Sequence, residues 1–223
     1  DITLGIDEPN VMAQKAVEKV KLGFDTLKIK VGTGIEADIA RVKAIREAVG
    51  FDIKLRLDAN QAWTPKDAVK AIQELADYQI ELVEQPVKRR DLEGLKYVTS
   101  QVNTTIMADE SCFDAQDALE LVKKGTVDVI NIKLMKCGGI HEALKINQIC
   151  ETAGIECMIG CMAEETTIGI TAAAHLAAAQ KNITRADLDA TFGLETAPVT
   201  GGVSLEAKPL LELGETAGLG ISH

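Results

Sequence analysis

The sequence predicts an α/β fold, a TIM-type (β/α)7β barrel in which eight parallel strands are joined by seven connecting helices. Two observations carry this. Short runs rich in β-branched residues alternate with longer amphipathic stretches to the end of the chain, each run bounded by Gly, Pro, Asn or Asp. Charged residues recur at the carboxyl ends of these runs, where a parallel barrel gathers its loops on one face. A crossover helix makes its two strands parallel, and eight such strands close most naturally into a barrel. The other arrangement open to the pattern is a doubly wound open sheet, but no GxGxxG follows the first strand.

In chain order the strands are ITLGID (2–7), TLKIKV (26–31), IKLRLD (53–58), IELVEQ (80–85), IMADE (106–110), VDVINIKL (127–134), ECMIGC (156–161) and ITRADLD (183–189). After the second, EADIARVKAIREAV (36–49) sets Ile39, Val42, Ile45 and Val49 on one stripe at helical spacing. After the third, TPKDAVKAIQELA (64–76) offers Thr64 as a cap and Pro65 for the first turn. The barrel is expected over residues 1–190. The tail, 191–223, is Gly-rich and weakly periodic.

A chain of 223 residues that is 46% hydrophobic can bury a full core as one domain. With one Trp, two Tyr and four Phe, that core must come from Ile, Leu, Val and Ala, which suits parallel strands covered by helices. The formal charge of −10, with no basic stripe, argues against a nucleic-acid surface and favours small-molecule partners. No run of eighteen apolar residues is present to span a membrane, and the opening DITLGIDEPN lacks the pattern of a signal peptide, so a cytoplasmic protein is expected. The five cysteines, 112, 137, 150, 157 and 161, are read as reduced, and the CxxxC of Cys157 and Cys161 as buried apolar residues in preference to zinc ligands.

Charge beside an apolar core is costly unless it is paired or binds a metal. Asp58 ends the third strand, Glu84 the fourth, Asp109 the fifth and Lys133 the sixth; Lys28 and Lys30 lie late on the second, Asp187 and Asp189 late on the eighth. Strand alternation puts Lys28 and Lys30 on one side, and Asn131 and Lys133 likewise. Leu27 and Ile29 must face the helices, which turns the lysines inward. Asp58, Glu84 and Asp109 then present oxygens on neighbouring strands, as Mg²⁺ prefers, with Lys30 and Lys133 on opposite sides of the trio. A single strand-end carboxylate is more often a helix cap or a solvated rim charge; three on consecutive strands opposite lysines point to a site. Lys136 falls in the turn before Gly138 and Gly139 and is read as binding backbone or rim groups.

Taken in order and spacing, TLKIKVG, LRLDANQAW, LVEQP, MADES, NIKLMKCGG and ADLDA resemble the muconate-lactonizing subgroup of the enolase superfamily, most closely its L-Ala-D/L-Glu (dipeptide) epimerases. The resemblance implies that Asp58, Glu84 and Asp109 bind Mg²⁺, that Lys30 and Lys133 are acid/base catalysts, and that Lys28 supports Lys30 and contacts substrate. It makes Asp187 and Asp189 the pair that holds a dipeptide's α-ammonium. The segment GCMAEETTIG (160–169) resembles the loop after the seventh strand, leaving open whether Glu164 or Glu165 faces the pocket. It also implies an N-terminal α+β capping domain not contained in this sequence, against which the tail would pack, and a homo-oligomer.

The implied chemistry is 1,1-proton transfer at the α-carbon of a dipeptide's C-terminal residue through an ene-diolate, one lysine on each face. His141, His175 and His223 lie at no expected strand end, which leaves lysine as the base; Lys28 beside Lys30, together with Mg²⁺, is expected to lower the pKa of that base. The same metal and lysine set also serves cycloisomerases, o-succinylbenzoate synthases and N-acylamino acid racemases. A Schiff-base aldolase and a metal-binding barrel without catalysis are the readings from other classes. Which dipeptide is preferred cannot be read from these residues.

Overall fold

A computed structural model describes residues 1–193, 199–203 and 209–222. Its eight long-range strands are β1 (Ile2–Leu4), β2 (Thr26–Lys30), β3 (Lys54–Asp58), β4 (Ile80–Glu84), β5 (Thr105–Ala108), β6 (Val129–Lys133), β7 (Glu156–Gly160) and β8 (Ile183–Asp187). They follow one another round one sheet in chain order, every neighbouring pair parallel. The helices between them are α1 (Pro9–Lys21), α2 (Ile35–Val49), α3 (Pro65–Glu74), α4 (Leu92–Gln101), α5 (Ala115–Lys124), α6 (Leu134–Cys137), α7 (Ile140–Thr152) and α8 (Thr167–Ala179).

Seven crossovers therefore hold eight helices. The sixth is broken into α6 and α7 at Gly138 and Gly139, whose φ angles of +84° and +123° few other residues adopt. The strands are shorter than their apolar runs because several strand-end residues leave the ladder. Asp109 and Asp189 lie beyond β5 and β8, and their carbonyls accept from Cys112 N and Phe192 N in the following turns.

The expected helix signals operate as read. Thr64 Oγ1 accepts from Asp67 N at the start of α3, with Pro65 in the first turn. Val42 and Ile45 of α2 are fully buried, and Ile39 and Val49 pack at the edge of the same core. That outer core lies between strands and helices and takes Leu27, Ile29, Leu55, Leu57, Ile130 and Ile132. Leu82, Met107, Val129 and Met158 form a second, separate cluster. Beside it Arg56 pairs with Asp1 and Glu81, both at 2.6 Å, and reaches Met158 Sδ. Above it stand the strand-end charges.

Among the described residues no ladder joins β8 to β1. Asp1 N instead donates to Ala186 O at 3.1 Å, and Thr3 N to the carboxylate of Asp189 at 2.7 Å. Beyond the barrel, Ala190–Gly193 forms a 3₁₀ turn and β9 (Thr200–Gly201) pairs antiparallel with β10 (Ile221–Ser222). Val203 N bonds Thr171 Oγ1 of α8, and Phe192 meets Phe24 edge-on at 5.5 Å. His223 lies outside the described residues. No helix among the described residues is long and apolar enough to cross a membrane.

Candidate active site

Two rows of register partners cross the carboxyl end of the barrel. Lys30 pairs with Asp58, and Asp58 with Glu84; on the other side Lys133 pairs with Gly160, and Gly160 with Asp187. Strand alternation aims these residues inward, and a cavity of about 460 Å³ is lined by Lys28, Lys30, Lys133, Cys161, Asp187 and Asp189 among others. All three lysines and both aspartates of the sequence prediction thus share one cavity, with the carboxylate trio beneath it.

The trio is held by ammonium groups. Lys30 Nζ donates to Asp58 Oδ2 at 2.6 Å and to Asn60 Oδ1 at 2.8 Å. Lys28 Nζ lies 2.7 Å from Asp187, 2.9 Å from Glu84 and 3.2 Å from Asp58. Lys133 Nζ donates to Asp109 Oδ2 at 2.7 Å, and Lys136 Nζ to Asp109 Oδ1 at 2.7 Å. Among the described residues no three His, Cys, Asp or Glu side chains are arranged to hold a metal ion as they stand, and lysines contact the oxygens of Asp58, Glu84 and Asp109.

Burial and the charge of Asp58 push Glu84 up to about 7 despite Lys28. Burial also works against the charge of Asp109, but Lys136 and Lys133 outweigh it and hold that carboxyl well below the usual range. Asp187 is likewise lowered, Lys28 overcoming burial. Burial disfavours charge on Lys28 and Lys133, yet Glu84, Asp187 and Asp58 raise the first well above the ordinary value, and Asp109 and Glu84 raise the second. At both lysines the buried carboxylates outweigh the cost of burial.

The aspartates 187 and 189 part company. Asp187 is buried, with Oδ2 on Lys28 and Oδ1 without a partner. Asp189 gives Oδ2 to the seam at Thr3 N, and its Oδ1 accepts from Cys161 Sγ at 3.8 Å. Cys157 instead takes a contact from Asn182, so the CxxxC does not converge. All five cysteines are free, and only Cys137 is not buried. In the loop after β7 Glu165 is buried and accepts from Met162 N at 3.1 Å, whereas Glu164 is exposed. His141 lies within α7 and His175 within α8, away from strand ends.

Three supporting residues escaped the sequence reading as site residues. Asn131, fully buried two positions before Lys133, donates to Glu84 Oε1 at 2.7 Å; its alternation with Lys133 was the available signal. Gln85, at φ +37°, accepts from Asp109 N and Ser111 N and donates to Val87 O and Ser111 Oγ, fixing the loop that carries Asp109. Gly160 leaves room for Asn131, whose amide a β-carbon there would meet at 2.6 Å. No local pattern in the sequence marks the last two.

A protein-family profile described as enolase C-terminal domain-like matches residues 11–223. The chain is 99% identical over 223 residues to a protein of Enterococcus faecalis named hydrophobic dipeptide epimerase, covering 100% of this chain and 63% of that protein. It is 51% identical over 224 residues to the L-Ala-D/L-Glu epimerase of Bacillus subtilis, covering 99% of this chain and 61% of that protein. Among solved structures, the dipeptide epimerase of Enterococcus faecalis V583 complexed with Mg and L-Leu-L-Tyr matches with a TM-score of 0.98 at 99% identity, covering 100% of this chain and 63% of that one. The chain spans less than two thirds of the length of these curated relatives.

Proposed function

Because the chain belongs to the enolase C-terminal domain-like family, we propose that it is the catalytic barrel of a cytoplasmic, Mg²⁺-dependent dipeptide epimerase that acts at the α-carbon of the C-terminal residue. One observation carries this: Lys30 and Lys133, from strands on opposite sides of the same cavity, each retain ammonium hydrogens not committed to the protein. Two such groups facing one carbon can remove a proton from one side and return one to the other. Identity of 99% to the Enterococcus enzyme supports a hydrophobic dipeptide over Ala-Glu.

Asp58, Glu84 and Asp109 would hold the cation. Three buried carboxylates from successive strands form a donor set suited to a hard divalent ion, and the rise of Glu84 to about 7, through burial first and then the charge of Asp58, reflects the cost of holding negative charge there. Bound there, the ion would supply positive charge for the carboxylate beside the carbon that loses its proton.

The remaining work falls to the chain's own residues. For a proton to cross, one of Lys30 and Lys133 is the neutral amine and the other the ammonium, with roles exchanged in the reverse direction. Lys28 stays charged and holds Asp187. The unpartnered Oδ1 of Asp187 supports a role for Asp187 and Asp189 in receiving the substrate's α-ammonium. Residues 191–223, of which 194–198, 204–208 and 223 lie outside the described residues, would pack against a capping domain of the kind the resemblance implies.

Deuterium incorporation tests the reading. Full-length protein with Mg²⁺ and a dipeptide set that includes L-Leu-L-Tyr and L-Ala-L-Glu, in D₂O, should show exchange at the C-terminal α-carbon with inversion. No exchange with any dipeptide, in a protein that binds Mg²⁺, would favour the acylamino-acid racemase or cycloisomerase readings.

A further inference from the structure

We propose that Asp38 of α2 is a positioning residue for Lys30: it fixes the loop after β2, and with it the end of the strand that carries this lysine. The assignment rests on the epimerase reading above for the role of Lys30. Asp38 lies in the first turn of a helix whose Val42 and Ile45 enter the outer core, and it is fully buried. A carboxylate there carries a desolvation cost that an apolar residue would not.

What the charge provides is a meeting point for four donors. Oδ2 accepts from Gly32 N at 2.9 Å and from Trp63 Nε1 at 3.4 Å; Oδ1 accepts from Arg41 Nη1 at 3.0 Å and from Thr33 N at 3.4 Å. Arg41 in turn donates from Nε to Asp7 O at 2.9 Å and from Nη1 to Thr33 Oγ1. The main-chain N of Trp63 donates to Pro86 O at 3.0 Å. One side chain thus joins the loops after β1, β2 and β3, and through Trp63 the loop after β4. None of these bonds involves β6 or the loop that follows it.

Lys30 depends on this support more than Lys133 does. Its side chain is 29% exposed, against 9% for Lys133, so side-chain packing confines it less. Its direction is set largely by the backbone at the end of β2, where Val31 N donates to Asp58 O and Gly32 turns away at φ +115°. A β-carbon on Gly32 would lie 2.4 Å from Ala62 Cβ and 3.1 Å from Ala59 O. The loop after β2 is therefore pressed against the loop after β3, and Asp38 holds the two together through Gly32 N and Trp63 Nε1. A misplacement of about 1 Å at a reacting group costs up to about 10²-fold in rate.

The test uses full-length protein with Mg²⁺, comparing wild type with Asp38→Asn, which keeps the shape but gives up the charge and one acceptor. One readout is amide hydrogen exchange over residues 31–34; the other is α-proton exchange in D₂O with L-Leu-L-Tyr and L-Leu-D-Tyr separately. Single replacements of Lys30 and Lys133 identify which epimer each lysine serves. In Asp38→Asn the amides of Gly32 and Thr33 should exchange about tenfold faster or more. The rate for the epimer served by Lys30 should fall about 10- to 100-fold, and that for the epimer served by Lys133 should change by less than about threefold. Gly32→Ala, which displaces the loop from its other side, should move the ratio of the two rates in the same direction. Val42→Ala removes buried methyl groups from the same helix and should lower stability without moving that ratio. Equal losses for both epimers would overturn the positioning role, as would a ratio shifted equally by Val42→Ala, or wild-type rates in Asp38→Asn. Unchanged amide exchange in Asp38→Asn would refute the hold on the loop. If Asp38→Asn does not fold, Trp63→Phe removes one of the four donors and carries the same expectations and refutations. Wild type that exchanges neither epimer would instead overturn the epimerase reading, and the amide readout would still decide whether Asp38 holds the loop.

Discussion

Lys28 of β2 and Asp187 of β8 meet at the top of the barrel with Nζ 2.7 Å from Oδ2, their side chains 4% and 3% exposed. The contact reaches across β1 where, among the described residues, the sheet has no ladder to close it, so it ties the barrel shut while it orients a cavity-lining carboxylate. Asp187→Asn should therefore cost about 3 kcal/mol, the scale for breaking a buried ion pair. Urea unfolding measures this, and a loss below about 1 kcal/mol would show that Glu84 and Asp58 suffice for Lys28.

Replacing the lysines singly should separate the two faces of the proposed reaction. Lys133→Ala and Lys30→Ala are each expected to lose epimerisation by at least about 10²- to 10⁴-fold, the range for a positioned acid or base. Each variant should keep exchange with solvent for one epimer only, and the two variants for opposite epimers. Retention of full turnover by Lys133→Ala would remove it from the reaction.

Gly160 is where a single methyl group would reach both Asn131 and Lys133. A β-carbon there would lie 2.6 Å from Asn131 Oδ1 and 3.1 Å from Lys133 Cε, so Gly160→Ala must push Asn131 off Glu84. The expected cost is about 1–3 kcal/mol in stability for overpacking, with Mg²⁺ affinity reduced about tenfold. Chemical denaturation and calorimetry on the same preparation read both effects. A stable variant with normal affinity would mean that Asn131 does not position Glu84.

Glu165 yields a pH prediction. Burial raises its pKa above the usual 4.5, and the hydrogen bond from Met162 N and the charge of Lys133 do not restore it. A raised folded value favours the protonated carboxyl, so the stability it contributes is fully present below pH 4.5 and is lost as the pH rises through the folded value. Glu165→Gln mimics the protonated form. Its melting temperature should exceed wild type at pH 8, with the gap closing toward pH 4.5. A variant that melts lower at pH 8 would show that the native state needs the ionised group.

Much of this protein was legible in its sequence because the strand period and the crossover lengths govern it. A strand period of two decided that Lys28 and Lys30 turn inward while Leu27 and Ile29 face the helices, and crossover lengths decided the parallel order of the strands. The sharing of one cavity by Lys30, Lys133 and Asp187 follows from these alone. Strand limits were less legible, since residues such as Asp109 have the composition of a strand end but serve a turn.

What only the tertiary structure decided is how the charges are partnered. Nothing local told Asp187, held by Lys28 159 residues away in sequence, from Asp189, which closes the seam at Thr3. Nor could the sequence show that Lys136 has no hydrogen left to donate while Lys133 has two, or that carboxylates from three other strands raise Lys28 against the cost of its burial. Side-chain direction is set by backbone period, which a sequence displays. Coulombic balance in a buried site is set by which distant groups come within about 3 Å, and that exists only once the barrel has closed.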